Sequence, residues 1–145
     1  SISSKIYDLS LLIFNGKAHI LSVTETWLQD NNSDYVSIPG YNFISKNRDG
    51  KRGGGVGFFI SNAIKYSLFE KLPRDFIVSS FEFLLLKINQ TKSCDLLIGV
   101  IYRPPDTNLQ LFNDEFEQLL QYIKHSNKYT FLLGDFNINL MNTLE

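Results

Sequence analysis

Two apolar runs separated by a helical pattern decide the fold of this chain: LLIGVIYRPP at residues 96–105 and YTFLLGDFNIN at residues 129–139. Each run begins with a short apolar stretch of strand length, and Pro104 and Pro105 stop the first one. Between them, apolar residues recur at helical spacing from 108 to 125, and Thr107 or Asn108 is a suitable helix cap. The order strand, helix, strand is typical of an α/β fold.

The upstream sequence adds further predicted elements. Residues 2–13 have the spacing of an amphipathic helix, which Gly16 can end in the left-handed conformation. A buried strand is predicted over residues 18–24. Two strand pairs are then predicted, the first at 41–44 with 56–61 and the second at 79–88 with 95–102. The whole pattern indicates one α/β domain with a mixed sheet.

Composition narrows the class of protein. A chain of 145 residues with 43% hydrophobic residues is the size of one domain and can bury a core. Its apolar runs are far shorter than the roughly 20 residues that span a bilayer, so we expect no membrane partner. With 14 basic against 15 acidic residues, the chain does not coat nucleic acid by bulk charge. Any contact with nucleic acid must be local.

Polar side chains suited to a hard cation follow two of the predicted strands. Glu25 ends the first strand in the stretch VTETW, while Asp135 and Asn137 end the last one in LLGDFNIN. Ligand sites in α/β sheets form beyond the carboxyl ends of strands, and Mg²⁺ prefers carboxylate and amide oxygens. Each residue taken alone is more typical of a turn or cap. The combination favours a metal site.

A third strand end carries Tyr102 and Arg103 in the stretch YRPP. A tyrosine hydroxyl and an arginine fork can both bind a phosphoryl oxygen. The alternative is a strand stopper with a half-buried tyrosine.

One basic patch stands out in this nearly neutral chain. The stretch SKNRDGKR contains Lys46, Arg48, Lys51 and Arg52, and the glycines Gly53–Gly55 follow it directly. Such a hairpin tip can contact a phosphate backbone without reading its sequence. It can equally be a solvated loop whose glycines permit tight turning. It is not a P-loop, because no GK[ST] follows the glycines.

Four motifs in this order carry a family resemblance: ETWL at 25–28, GGGVGFFI at 53–60, VIYRPP at 100–105 and GDFNIN at 134–139. Together they resemble the endonuclease/exonuclease/phosphatase family. More narrowly, they are similar to the apurinic-type endonuclease domain at the start of non-LTR (LINE-type) retrotransposon polyproteins. The resemblance extends over essentially the whole chain.

The resemblance implies a four-layered α/β sandwich of the DNase-I-like type that hydrolyses phosphodiesters in DNA with Mg²⁺ or Mn²⁺. Glu25 would be a metal ligand, Tyr102 a phosphate-facing group, Asp135 the residue that orients or deprotonates water, and Asn137 a donor to the phosphate. The implied partners are DNA and a reverse-transcriptase domain in the same polyprotein. The implied location is intracellular and nuclear.

The chain also departs from the family pattern. It begins at the predicted helix, without the strand that ends in an asparagine near the metal, and nothing after Asn137 supplies the closing aspartate or the Ser-Asp-His stretch. We therefore expect residues 1–145 to be a partial domain with its second sheet largely missing and one apolar face uncovered. We also expect little or no DNA nicking by this piece. The alternatives are an inactive remnant that at most binds nucleic acid or a partner, and a phosphatase of the same fold.

Overall fold

A computed structural model of the chain describes residues 1–29, 36–48, 50–69, 71–89, 96–124 and 129–139. A short 3₁₀ turn at Ile2–Lys5 leads into the first helix. The elements that follow are α1 (Ile6–Gly16), β1 (Ile20–Thr24), β2 (Tyr41–Lys46), β3 (Val56–Ser61), β4 (Tyr66–Leu68), β5 (Glu82–Ile88), β6 (Leu96–Tyr102), α2 (Leu109–Ile123) and β7 (Tyr129–Asp135). Of these, only the short strand β4 is absent from the sequence prediction.

The strands form two sheets. The first has the order β1-β3-β2, with both pairings antiparallel. The second has the order β4-β5-β6-β7, antiparallel except for the parallel pair of β6 and β7. Both predicted strand pairs are confirmed, since β2 pairs with β3 and β5 pairs with β6.

Three apolar cores hold four layers together. The central core lies between the sheets, where Val56 and Phe58 of β3 meet Leu86 and Val100 of the second sheet. The second core packs α2 against the outer face of the second sheet. The third core packs α1 and the 3₁₀ turn against the outer face of the first sheet. The predicted four-layered α/β sandwich, with its mixed sheet, is confirmed.

One detail of the prediction needs correction, because the second sheet of the sandwich is not largely missing. Seven described strands divide into sheets of three and four. Apolar patterning shows which faces of a strand are buried but not which sheet the strand joins. At one edge, however, an apolar face is uncovered: Phe131 and Leu133 of β7 are 56% and 44% exposed.

Both helices are bounded by local signals. At the end of α1 the left-handed residue is Lys17 (φ 50°), whose N–H donates to the Ile13 carbonyl, so the prediction of Gly16 in that role is wrong. The predicted Asn108 cap is confirmed: its Oδ1 accepts from the Leu111 N–H at 3.0 Å. Neither helix, nor any other helical segment in the described ranges, is long and apolar enough to cross a membrane.

Candidate active site

The polar strand ends of both sheets meet at one end of the sandwich. In the second sheet, Tyr102 pairs with Glu82 on one side and with Asp135 on the other. In the first sheet, Thr24 and Lys46 both pair with Val56. The Gly55 N–H donates to Glu82 Oε2 at 2.6 Å, which joins the two sheets there. The residues that sequence reasoning selected on separate strands are thus gathered at one end.

Glu25 is held by the glycine loop, Gly53–Gly55. Its carboxylate oxygen Oε2 accepts hydrogen bonds from the Trp27 indole Nε1 and from the Gly54 N–H, the latter at 3.3 Å. Main-chain bonds reinforce the contact, since the Trp27 N–H donates to the Gly54 carbonyl at 2.9 Å and the Thr26 N–H donates to the Gly55 carbonyl at 3.3 Å. The glycine loop therefore fixes both the backbone and the carboxylate of Glu25.

Unusual backbone conformations concentrate at this end of the sandwich. Among the described residues, four that are not glycine have positive φ, and three of them are Glu25 (55°), Trp27 (57°) and Asn137 (48°). Holding a residue other than glycine there costs about 1–3 kcal/mol, and such residues cluster at functional sites. The surrounding hydrogen bonds supply the constraint that this conformation needs.

Glu82 is a central residue that the sequence prediction missed. Its Oε1 forms an ion pair with Arg48 Nε while its Oε2 accepts from Gly55 N–H. The Arg48 guanidinium also lies 5.8 Å from the ring centroid of Tyr102. The available signal was a single carboxylate in the apolar run FEFLLL, at the alternating position shared by Leu84 and Leu86 of the central core.

Arg103 binds the turn that carries Asp135 and Asn137. Its Nη1 donates to the Asn137 carbonyl at 2.9 Å, and its Nη2 donates to the Thr107 carbonyl. In return, Asn137 Nδ2 donates to the Arg103 carbonyl at 2.8 Å, and Arg103 N–H donates to the Asp135 carbonyl at 2.9 Å. Because Arg103 is only 5% exposed, this placement favours holding the turn over touching nucleic acid.

Asp135 and Asn137 themselves are exposed, whereas Tyr102 is buried. The Asn137 N–H donates to Asp135 Oδ1 at 3.0 Å, so the two residues form a local turn that presents their side chains at the surface. Tyr102 is 5% exposed, with its ring in the central core.

The basic residues of the loop before the glycines lie in three different environments. Lys46 Nζ sits 4.7 Å from the ring centroid of Phe83, and Arg48 is paired with Glu82. Lys51 and Arg52 are exposed, with the Arg52 guanidinium 5.6 Å from the Trp27 ring centroid. Lys46, Lys51 and Arg52 are therefore the exposed members of the patch that can meet a phosphate backbone.

The carboxylate oxygens of the site suit a cation that keeps most of its bound water molecules. Within the part of the chain that the structure describes, no three His, Cys, Asp or Glu side chains are grouped to hold a metal ion. Mg²⁺ needs no such group, because one or two carboxylates with water and substrate phosphate complete its octahedron. Glu25 fits this role, because its hydrogen bonds use Oε2 and leave the other carboxylate oxygen for a cation.

Comparison with known protein families identifies the family of this chain. The sequence profile of the endonuclease/exonuclease/phosphatase family matches residues 6–142. The chain belongs to the endonuclease/exonuclease/phosphatase family. The family is named for enzymes that hydrolyse phosphodiesters and phosphate esters, and its profile spans every strand end described above. A comparison with curated proteins gave no match.

Solved structures share the fold of this family member at low sequence identity. The endonuclease domain of TRAS1, a telomere-specific non-LTR retrotransposon, is 14% identical with a TM-score of 0.66, covering 94% of this chain and 54% of that chain. A humanized D. rerio TDP2 is 15% identical with a TM-score of 0.68, with coverages of 94% and 56%. The mannosyl-6-phosphatase Bt3783 of Bacteroides thetaiotaomicron is 15% identical with a TM-score of 0.63, with coverages of 97% and 59%. This family member thus spans little more than half of each structure.

Proposed function

We propose that this chain is part of a metal-dependent endonuclease that nicks DNA, acting with a reverse-transcriptase domain of the same polyprotein in target-primed retrotransposition of nuclear DNA. The observation that carries the proposal is the meeting of Glu25 and the turn from Asp135 to Asn137 at one end of the sandwich. Family membership supports hydrolysis of a phosphate ester or phosphodiester. The fold shared with a retrotransposon endonuclease domain supports the choice of DNA.

Each residue has a chemical task under this proposal. The exposed Asp135 carboxylate orients the attacking water and accepts its proton, and Asn137 donates a hydrogen bond to the scissile phosphate. Tyr102 pairs with Asp135 in the sheet and supports this turn from beneath, because its ring is buried in the central core rather than turned to a phosphate. Arg52, beside Trp27, contacts the DNA backbone on the side of Glu25, and Lys51 contacts it beside Arg48 and Thr107.

Glu25 would hold the cation, Mg²⁺ or Mn²⁺, through the oxygen that the glycine loop leaves free. A cation bound there neutralises charge that develops on the phosphoryl and leaving oxygens. The glycine loop keeps the carboxylate from rotating away, which lowers the cost of organising the site.

The test is relaxation of supercoiled plasmid by the full-length protein that carries residues 1–145, with Mg²⁺ present and after chelation. We expect Asp135→Asn to lower the nicking rate by at least about 100-fold, the scale of a positioned base, and Glu25→Gln to lower it by weakening the binding of the metal. The matched control is Lys65→Met, an exposed residue at the other end of the sandwich. Undiminished nicking by the Asp135→Asn protein would disprove the assignment.

The same preparation separates this proposal from its rivals. An endonuclease prefers plain or abasic duplex DNA over an inositol phosphate, whereas a phosphatase of this fold shows the reverse preference. An inactive remnant hydrolyses neither substrate at any metal concentration.

A further inference from the structure

Arg48 turns inward, although it belongs to the basic patch. Its side chain is 22% exposed, and its Nε is paired with Glu82, whose side chain is 18% exposed. Two charged side chains that are largely removed from water need partners, and Arg48 and Glu82 are paired with each other. An arginine committed to a carboxylate beneath a loop is poorly placed to recruit DNA.

A continuous chain of contacts runs from this pair to Glu25. Glu82 accepts from the Gly55 N–H at 2.6 Å, and the adjacent Gly54 N–H donates to Glu25 at 3.3 Å. Gly54 also lies directly against the Arg48 guanidinium, so that even a single added carbon there would overlap it. Consecutive amides of one loop therefore connect a carboxylate of the second sheet to the carboxylate at the end of β1.

We propose that the Arg48–Glu82 ion pair is a positioning device that sets the glycine loop, and through it the carboxylate of Glu25. The proposal rests on the proposed function only in taking Glu25 as the metal ligand. Without the ion pair, the side chain at position 82 is no longer held against Gly55, so the loop loosens and Glu25 loses its fixed orientation. Residues that orient a metal ligand typically change metal affinity or activity by about 10–100-fold when they are replaced.

Trp27 provides a readout that needs neither metal nor activity. It is the only tryptophan in the sequence, its indole donates to Glu25, and its ring lies beside Gly53. In the metal-free protein, we expect Arg48→Met to shift the emission of Trp27 to longer wavelength and to increase its quenching by acrylamide. The matched control is Lys65→Met, which removes the same charge far from the loop and should match the wild type.

Kinetics supply the second readout. For Arg48→Met we expect the half-saturating Mn²⁺ concentration in plasmid nicking to rise about 10–100-fold. We expect KM for DNA to stay unchanged, because a positioning residue acts through Glu25 rather than on the DNA. A rise in KM alone would instead show that Arg48 contacts DNA, and it would overturn the proposal.

Two further variants test whether the effect comes from loss of the ion pair rather than from unfolding. Should circular dichroism show that Arg48→Met is unfolded, Glu82→Gln takes its place, because it keeps an acceptor for Gly55 and removes the charge that holds Arg48. The double variant should lose no more than the worse single variant, since both act through one contact. Full additivity, or emission of Arg48→Met equal to that of Lys65→Met, overturns the proposal. If the wild-type protein nicks no DNA, the proposed function is wrong. The comparison of Trp27 emission still tests the positioning role in that case.

Discussion

Gly134 lies where β7 runs so close to β6 that a side chain has no room. Its φ of 144° falls in a region that side chains rarely adopt, and an added Cβ would collide with the carbonyl oxygen of Ile101. Ile101 is the register partner of Gly134 in the parallel pair. The glycine therefore sets the close approach that places Asp135 beside Tyr102.

We expect Gly134→Ala to lower the free energy of unfolding by about 3 kcal/mol or more, because backbone strain and overpacking act together. The control is Gly16→Ala at the end of α1, where nothing lies within 4 Å of the added carbon. That change should stabilise the protein by about 0.5–1 kcal/mol. Urea unfolding measures the change in the free energy of unfolding for both variants. Equal changes would contradict the close approach of β7 to β6.

The sequence selected some residues of the candidate site and missed others. Glu25, Asp135 and Asn137 were selected because polar groups that end buried strands meet at one edge of a sheet. Glu82 was missed because its importance depends on a contact between sheets, which no local pattern encodes. Arg48 was selected as part of a basic hairpin tip and Arg103 as a fork at a strand end, whereas the structure pairs Arg48 with Glu82 and buries Arg103 against main-chain carbonyls.

At the scale of elements, α2 is tied to the segment before β5 through Glu115. The Glu115 carboxylate accepts from the N–H groups of Ser79 and Ser80 at 2.9–3.1 Å and from both hydroxyls. Burial disfavours the charged carboxylate, but the hydrogen bonds from Ser80 and Ser79 outweigh it and hold the pKa of Glu115 below its usual value. These hydrogen bonds fix Ser79 and Ser80, the residues that lead into β5 at Glu82.

This lowered pKa predicts a loss of stability in acid. A carboxyl group whose pKa is lower in the folded than in the unfolded state stabilises the fold above its unfolded pKa, near 4.5. That contribution disappears as the pH falls through the lower, folded pKa. We expect Glu115→Gln to be less stable than the wild type at neutral pH and to approach it in acid. Urea unfolding between about pH 7 and about pH 3 tests this, and a constant difference would refute it.

Some helices and strands could be predicted from their sequences better than others. The helix α2 was predicted with its cap because apolar spacing and Asn108 agree. β4 was missed because three residues carry too little pattern; it is held by its pairing with β5 and by Tyr66, which packs against the central core. β1 begins two residues later than the predicted 18–24, because its register with β3 begins at Ile20.

At the scale of the molecule, the two sheets do not cover each other completely. Phe131 and Leu133 of β7 pair with Ile98 and Val100, which are buried in the central core. The four residues share one face of the sheet, yet those of β7 remain exposed. Exposed apolar residues at a sheet edge lower solubility.

We expect Leu133→Ala to lower the free energy of unfolding by only about 1 kcal/mol, because 44% of Leu133 is already exposed to water in the folded protein. The matched change Leu86→Ala, at a fully buried position of the central core, should cost about 3–5 kcal/mol. We also expect Leu133→Ala to raise the solubility of the protein. Denaturant unfolding and a saturation measurement test both effects. A comparable loss for the two leucines would show that the face of β7 is covered.

The crossover from β6 through α2 to β7 also decides when the site can exist during synthesis. Protein chains emerge from the ribosome amino terminus first, at about 5–20 residues per second. Glu25 and the glycine loop are therefore made several seconds before Asp135, which ends the last described strand. A half-made chain holds one side of the site and lacks the other. Under the proposed function, cleavage could begin only after β7 had joined the sheet, so nascent chains would be harmless to nucleic acid nearby.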